Sequence, residues 1–170
     1  MLGRGKYLVK VPLPCTLSRA PQEELYENSD HLYRRRLQRQ SRPRGWGAIL
    51  MYGQHKRELS GGEANTTNNR MELTAVIQAL SLLKEPCVVD LWSDSKYVID
   101  GLEKGWAKGW KARGWKKADK KPALNPDLWE RLLALTDIHS LRYHWVKGHA
   151  ENAYNNRCDE LAVMESQKYK

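Results

Sequence analysis

The sequence predicts an α/β fold, a sheet with helices packed against it, from two observations. Short apolar runs of strand character alternate with longer segments whose apolar residues recur at helical spacing. Before Gly45 the chain instead holds four of its seven prolines and an arginine-rich run, with little periodicity of either kind. We therefore expect an anomalous, irregular or disordered segment over residues 1–44, with a weak strand at 6–11, and one folded domain over residues 45–166.

The elements of this domain follow from local patterns, taken in chain order. Two alternating runs around Gly53-Gln54-His55 predict a hairpin, and a long helical pattern that ends before Pro86 predicts the first helix. The apolar run after Pro86 is typical of a buried strand. The predicted strands cover residues 46–52, 56–61, 87–92 and 141–146. The predicted helices cover residues 69–84, 95–102, 127–135 and 155–164.

The charge balance points to a polyanionic partner. A formal net charge of +9 over 170 residues favours nucleic acid, and the alternative is a basic surface that only confers solubility. No apolar run approaches the roughly 18 residues of a membrane span, so no membrane association is expected. The three cysteines match neither zinc nor disulfide spacing, which favours free thiols in a cytoplasmic protein.

Three acidic residues occur in distinctive sequence frames. Glu72 lies in Thr-Thr-Asn-Asn-Arg-Met-Glu-Leu, Asp94 directly follows the buried strand, and Asp159 lies in Cys-Asp-Glu-Leu-Ala. Taken singly, each is explained as a solvated or helix-capping acid. Taken together, they supply the oxygen ligands that hard divalent ions prefer, and two such ions clamp both oxygens of a phosphate displacement.

His149 lies in Lys-Gly-His-Ala, a glycine-containing loop after a predicted strand. Its functional interpretation is a mobile general acid or base near the leaving group, and the alternative is an ordinary surface histidine. His55, His139 and His144 have no comparable setting and are expected to be structural or solvated.

A basic, tryptophan-rich stretch covers residues 104–121. It is interpreted as a protruding arm whose cations contact phosphates without reading sequence. The alternative is a surface helix with inward aromatics, and for Trp106 we expect that inward packing. Asn68 and Asn69 precede the helix that carries Glu72. They are interpreted either as a turn and helix cap, or as amides that contact the minor groove of a duplex and its 2′-hydroxyls. The candidate contacts of the arm are Trp106, Lys108, Trp110, Lys111, Lys116 and Lys117.

Over about residues 45–164 the chain resembles bacterial type 1 ribonuclease H. The resemblance rests on these frames together with Asp-Ser-Lys-Tyr-Val and the block Gly-Trp-Lys-Lys-Ala-Asp-Lys-Lys-Pro-Ala-Leu-Asn-Pro-Asp-Leu-Trp-Glu-Arg-Leu. The resemblance implies a five-stranded mixed sheet flanked by helices and endonucleolytic cleavage of RNA in RNA–DNA hybrids, leaving 5′-phosphates. It implies two Mg²⁺ ions, with Mn²⁺ as an alternative, on Glu72, Asp94 and Asp159, and His149 as the loop base. We expect a monomer.

The resemblance also assigns substrate contacts. It implies that Asn68 and Asn69 touch the hybrid and that Thr67 and Asn125 help hold a phosphate of the DNA strand. Lys96 stands where this family often has glutamine, so the contact that the glutamine makes to the hybrid is not carried over to this position.

The resemblance breaks before Gly45. The family's first, central strand ends in a glycine-rich loop with a metal-binding aspartate, and residues 33–44 are instead an Arg/Gln run. Permissible codons for residues 26–44, shifted forward by one base, spell that strand and loop as Met-Lys-Thr-Val-Thr-Ile-Tyr-Thr-Asp-Gly-Ala-Cys-Ser-Gly-Asn-Pro-Gly-Pro-Gly. We therefore interpret residues 1–44 as a frameshift product, and the alternative is a natural basic extension. Asp30 is the acid in this segment that could take the place of the family's missing metal-binding aspartate.

Three functional hypotheses follow. The protein is an active hybrid-specific ribonuclease if the frame is restored, a non-catalytic hybrid- or duplex-binding remnant, or an unfolded product without function. A missing central strand would expose apolar faces and two strand edges and invite aggregation, and Tyr7–Val11 would be a poor substitute for it.

Overall fold

A computed structural model describes residues 5–11, 42–52, 55–146 and 153–169. The strands are β1 (Gly5–Val11), β2 (Arg42–Tyr52), β3 (His55–Thr66), β4 (Val88–Ser93) and β5 (Ser140–Trp145). The helices are α1 (Asn68–Ser81), α2 (Lys96–Glu103), α3 (Trp106–Ala112), α4 (Pro126–Ile138) and α5 (Ala153–Gln167). Within the described ranges, no helix is long and apolar enough to cross a membrane.

The five strands form one mixed sheet in the order β3-β2-β1-β4-β5. β1 pairs parallel with β2 and antiparallel with β4, β2 pairs antiparallel with β3, and β4 pairs parallel with β5. The predicted α/β class and five-stranded mixed sheet are therefore confirmed.

The central position of the sheet is filled by Gly5–Val11. β1 pairs on one side with β2 and on the other with β4, so Gly5–Val11 takes the place that a missing first strand would leave. This pairing covers the two edges that a missing strand would expose. The replacement of the family's own first strand by an irregular basic segment stays a prediction. The part of the anomalous segment from 12 to 41, including Asp30 and most of the arginine run, lies outside the described residues.

Two faces of the sheet carry separate cores because side chains alternate along a strand. Trp46, Ala48 and Leu50 of β2 join the larger core, which also takes apolar residues of α1, α2 and α4. Ile49, from the opposite face of β2, packs with Cys158 of α5 and forms a smaller core. Helices on both faces thus sandwich the sheet.

Most predicted boundaries lie within a few residues of the observed ones. The hairpin strands extend further, with β2 beginning at Arg42 and β3 continuing to Thr66, because their antiparallel pairing runs through the glycine-rich part of β3. α3 is a short helix inside the basic stretch and begins after Gly105, whose φ of 73° breaks the preceding helix.

The predictions for the cysteines are confirmed in part, and those for His139 and His144 are confirmed. Cys158 is buried and not disulfide-bonded, as expected, but Cys87 is disulfide-bonded, so the expectation of thiols outside disulfides is wrong there. His139 is structural as expected: it is buried, its Nδ1 accepts a 3.1 Å hydrogen bond from the Cys87 backbone N–H, and burial lowers its pKa. His144 is structural too, stacked on Trp92 with ring centroids 4.2 Å apart.

Candidate active site

Two of the sequence motifs, those that carry Glu72 and Asp94, meet at one edge of the sheet. Because β4 and β5 run against β2, the ends of β4 and β5 lie at the edge where β2 begins. Arg42 at the start of β2 pairs with Thr66 at the end of β3, which brings the start of α1 to the same edge. Asp94 directly follows β4 there, as predicted for an acid that emerges at the carboxyl end of a strand.

Glu72 is a buried carboxylate near the start of α1. It is 6% exposed, and its Oε2 accepts a 2.6 Å hydrogen bond from the Ser95 hydroxyl. The pKa of Glu72 is raised to about 7, chiefly by burial; the Ser95 hydrogen bond lowers it, the charge of Asp94 raises it, and Arg44 lowers it. Glu72 and Asp94 are therefore close enough to form an electrostatically coupled pair.

Ser95 connects the two carboxylates structurally. It is the N-cap of α2, where its Oγ accepts from the Val98 N–H at 3.3 Å while donating to Glu72. Its own backbone N–H donates to the Ser93 Oγ at 2.9 Å, which fixes the turn that carries Asp94. One hydroxyl thus ties the end of β4 to the carboxylate of α1.

Arg44 places a positive charge beside this acidic pair. Its Nη1 donates a 2.9 Å hydrogen bond to Asn68 Oδ1 at the start of α1, and its Nε is buried without a hydrogen-bond partner among the described residues. Burial lowers the pKa of Arg44, Arg42 lowers it further, and Glu72 raises it. The guanidinium therefore lies within electrostatic range of the Glu72 carboxylate.

The rim beside Asp94 is formed by an aromatic and a lysine. Trp145, at the end of β5, is 45% exposed, and its Nε1 donates to the Asp94 backbone carbonyl at 3.3 Å. The Nζ of Lys96 lies 4.6 Å from the centroid of the Trp145 ring. Lys96, the residue that departs from the family pattern, is thus held at the rim by a cation–π contact.

Asp159 comes from α5, on the other face of the sheet. α5 lies directly on β2, because Gly47 leaves room for the Cys158 carbonyl and Gly45 for that of Ala162. Asp159 itself is partly exposed. His149 lies outside the described residues, so its role stays a prediction.

The fit of these residues to a divalent metal is partial. Glu72 and Asp94 provide oxygen ligands of the kind that magnesium prefers. Among the residues the structure describes, however, no group of three or more His, Cys, Asp or Glu side chains is placed to hold a metal ion. β1 adds none, since its sequence Gly-Lys-Tyr-Leu-Val-Lys-Val contains no acid. The described residues therefore fit one cation between two carboxylates and do not fit a two-ion set.

The predicted phosphate-contact residues Thr67 and Asn125 are joined by Arg70. Thr67 caps α1 and accepts from the Arg70 backbone N–H at 3.4 Å, while Arg70 Nη1 donates to Asn125 Oδ1 at 3.2 Å. Arg70 also forms a fork with Asp127, with distances of 3.1 and 2.9 Å. Arg70 has no signal in the sequence, because the partners of its side chain, Asn125 and Asp127, are more than 50 residues away along the chain.

The basic stretch places its tryptophans differently from the prediction. Trp106 is 46% exposed, so the expectation of inward packing is wrong. α3 buries Ala107 and packs Trp110 edge-on against Trp129 at 5.8 Å, while Trp106, the first residue of the helix, lies under the Lys104 Nζ at 5.1 Å from its ring centroid. The lysines of the stretch are exposed, and a groove lined by Trp106, Trp110, Arg113 and Lys117 lies among them.

Comparisons with known proteins agree with this architecture. The RNase H family model matches residues 37–167. A ribonuclease H of Chlorobium phaeovibrioides is 59% identical over 126 residues, 74% of this chain and 86% of that protein. A ribonuclease H of Nitratidesulfovibrio vulgaris is 59% identical over 120 residues, 71% of this chain and 77% of that protein.

Solved structures give the same fold. The crystal structure of LC9-RNase H1, a type 1 RNase H with the type 2 active-site motif, superposes with a TM-score of 0.69 at 25% identity, covering 100% of this chain and 76% of that one. A foamy viral protease-reverse transcriptase in complex with RNA/DNA hybrid superposes with a TM-score of 0.54 at 18% identity over 99% of this chain and 21% of that one. The sequence matches and the shared fold together show that this chain belongs to the ribonuclease H family.

Proposed function

We propose that this chain acts on RNA–DNA hybrids as an endoribonuclease, hydrolysing the RNA strand and leaving 5′-phosphates. The observation that carries the proposal is the coupled pair Glu72 and Asp94 at the sheet edge, oriented by Ser95. Family membership supports the hydrolase class and the hybrid substrate.

In the proposed site Glu72 and Asp94 would hold one Mg²⁺ ion, or Mn²⁺ in its place, while Asp159 as a further ligand rests on the family resemblance alone. The bound ion supplies Lewis-acid stabilisation of the charge that develops on the phosphate. Ser95 fixes the orientation of Glu72 through its 2.6 Å hydrogen bond. His149 moves a proton near the leaving group in this proposal.

The substrate side of the proposal uses two surfaces. The first surface, near α1, contacts the hybrid through Thr67, Asn68, Asn69 and Asn125. The second surface consists of the exposed lysines around α3, which contact phosphates further along the hybrid. We propose that the protein works in the cytoplasm as a monomer. Elution at twice the monomer mass in size-exclusion chromatography would contradict the monomer.

The frameshift hypothesis gives the decisive test. The chain as written is compared with a frame-restored chain, whose residues 26–44 carry the Thr-Asp-Gly-containing strand and loop, on a labelled RNA–DNA duplex with Mg²⁺. We expect strong cleavage by the restored chain, because it regains the fourth carboxylate. Nucleotide sequence across codons 26–46 that cannot spell this loop in the shifted frame would exclude the frameshift and leave the natural extension.

Asp94→Asn in the restored chain separates catalysis from binding. We expect cleavage to fall by at least about 100-fold, since one carboxylate of the coupled pair becomes neutral, while hybrid affinity stays unchanged. Fluorescence anisotropy with a labelled hybrid measures the affinity. Loss of affinity together with cleavage would show that Asp94 is structural.

A second candidate function, non-catalytic hybrid binding, is favoured by the surroundings of Glu72. Arg44 lies within electrostatic range of the carboxylate and β1 supplies no acid, while the lysines of the 104–121 stretch remain exposed. Hybrid binding by the chain as written without cleavage at any Mg²⁺ or Mn²⁺ concentration would establish this function. A urea melt without a cooperative transition would instead indicate an unfolded product.

A further inference from the structure

Arg44 is held at the acidic site by two features of the fold. It lies at the start of β2, where the pairing with β3 shifts register between Arg42 and Arg44. Its Nη1 then bonds to Asn68 Oδ1 at 2.9 Å, and Asn68 is four residues before Glu72 in α1. Residues four apart share one face of a helix, so the guanidinium is anchored on the face that carries Glu72.

The position of Arg44 has an electrostatic cost and a compensation. Its Nε is buried without a hydrogen-bond partner in the described part of the chain, and an unpaired buried donor is unfavourable. The negative charge of Glu72 opposes this cost, since it raises the pKa of Arg44 against the effect of burial. A divalent cation that binds the same carboxylates therefore meets a fixed positive charge beside its site.

We propose that Arg44 is a resident counter-charge for the Glu72–Asp94 pair and weakens the binding of divalent metal ions to it. This inference rests on the proposed assignment of those two residues as metal ligands. Arg44 acts as a positioning residue through its charge, and the hybrid is not required for the effect.

The test is calorimetric titration of the full chain with Mg²⁺ and with Mn²⁺, in the absence of nucleic acid. Arg44→Gln should bind the ions about tenfold more tightly than the wild type, since a fixed positive charge close to the site is removed. Arg44→Lys keeps the charge and should leave the affinity unchanged. Arg57 is exposed near the start of β3, at the end of the strand away from the site. Arg57→Gln makes the same change in net charge as Arg44→Gln and should have no effect on metal affinity.

Equal or weaker metal binding by Arg44→Gln would overturn the inference. An equal gain in metal affinity in Arg44→Gln and Arg44→Lys would overturn it too, because the gain would then come from loss of the guanidinium's size and hydrogen bonds and not from loss of its charge. The inference also fails if neither wild type nor Arg44→Gln binds either ion. Arg44→Met replaces Arg44→Gln if the amide variant lacks a cooperative urea melt. Hybrid affinity, measured separately in EDTA, tests the proposed function and leaves this inference untouched.

Discussion

The Ser95 hydroxyl donates a 2.6 Å hydrogen bond to the Glu72 carboxylate, and it caps helix α2 at the same time. This single contact links the end of β4 to α1 across 23 residues of sequence. It also places a carboxylate that is 6% exposed next to a second acid, Asp94. The fold therefore stores an unfavourable buried charge at its candidate active site.

Glu72→Gln should stabilise the metal-free protein at pH 8. The pKa of Glu72 is raised to about 7 in the fold from a usual 4.5. The native state therefore holds this proton more tightly than the unfolded state, and wild-type stability falls as pH rises between those values. The variant lacks this loss, which amounts to about 3 kcal/mol.

Urea unfolding in EDTA at pH 5 and pH 8 checks this prediction. The difference in the free energy of unfolding between variant and wild type should be small at pH 5 and largest at pH 8. Glu130→Gln, on the exposed side of α4, serves as the control and should show no such growth. A stability gap that is the same at both pH values would argue against a buried charge at Glu72.

Gly47→Ala should loosen α5 from the sheet. A Cβ at Gly47 would overlap the Cys158 backbone carbonyl and come within 2.9 Å of the Leu161 Cβ. Because neither neighbour is the end of a flexible side chain, the helix must shift, at a cost of about 1–3 kcal/mol. The shift would move Asp159, the residue after Cys158.

The matched control is Gly109→Ala in α3. Its nearest neighbour is the Arg113 guanidinium at 3.3 Å, which moves easily, and alanine favours helix by up to about 1 kcal/mol. Urea melts should therefore show Gly47→Ala destabilised and Gly109→Ala unchanged or more stable. Equal stabilities of the two variants would contradict the close approach of α5.

Tyr97→Phe should destabilise the larger core. The Tyr97 hydroxyl accepts a 2.8 Å hydrogen bond from Nε1 of Trp129, which is fully buried, and a 3.4 Å bond from Asn125. Without the hydroxyl, the indole N–H loses this partner, at a cost of about 1–3 kcal/mol in the free energy of unfolding. Thermal or urea unfolding measures the loss.

Tyr143→Phe is the control for this change. Tyr143 is half-buried in β5, and the structure gives its hydroxyl no hydrogen bond within the described ranges. Its stability should therefore change little. If Tyr97→Phe were as stable as Tyr143→Phe, the contact between Tyr97 and Trp129 would not contribute to the fold.

Local patterns predicted most of the fold, whereas long-range contacts escaped them. The helix that carries Glu72 was predicted over 69–84 and observed as Asn68–Ser81, because its apolar spacing and cap are local signals. The pairing of Gly5–Val11 between two strands distant in sequence has no local signature. Burial of Glu72 was likewise invisible, since it depends on which elements pack over α1.

The candidate site shows the same division. The Asp94 position at the end of β4 follows from the strand itself. The contacts of Arg44 with Asn68, and of Arg70 with Asn125, join residues 24 and 55 positions apart. Such pairs depend on register and helix packing, which a single sequence does not specify.

Replacing Lys116 and Lys117 together with alanine should reduce the salt dependence of hybrid binding. Both side chains are exposed on the basic stretch, beyond α3. Each lysine that contacts a phosphate releases counterions, so each loss should flatten the plot of log affinity against log salt concentration by about 0.7–0.9. We expect a slope smaller in magnitude by roughly 1–2 and weaker binding at low salt.

Fluorescence anisotropy over a salt series measures this slope with catalysis suppressed by EDTA. Lys84→Ala removes an exposed lysine near the end of α1 and should leave the slope unchanged. A double variant whose slope equals that of the wild type would show that the basic stretch does not touch the hybrid. The positive charge of the stretch would then contribute only to solubility, which was the alternative interpretation of the net charge of +9.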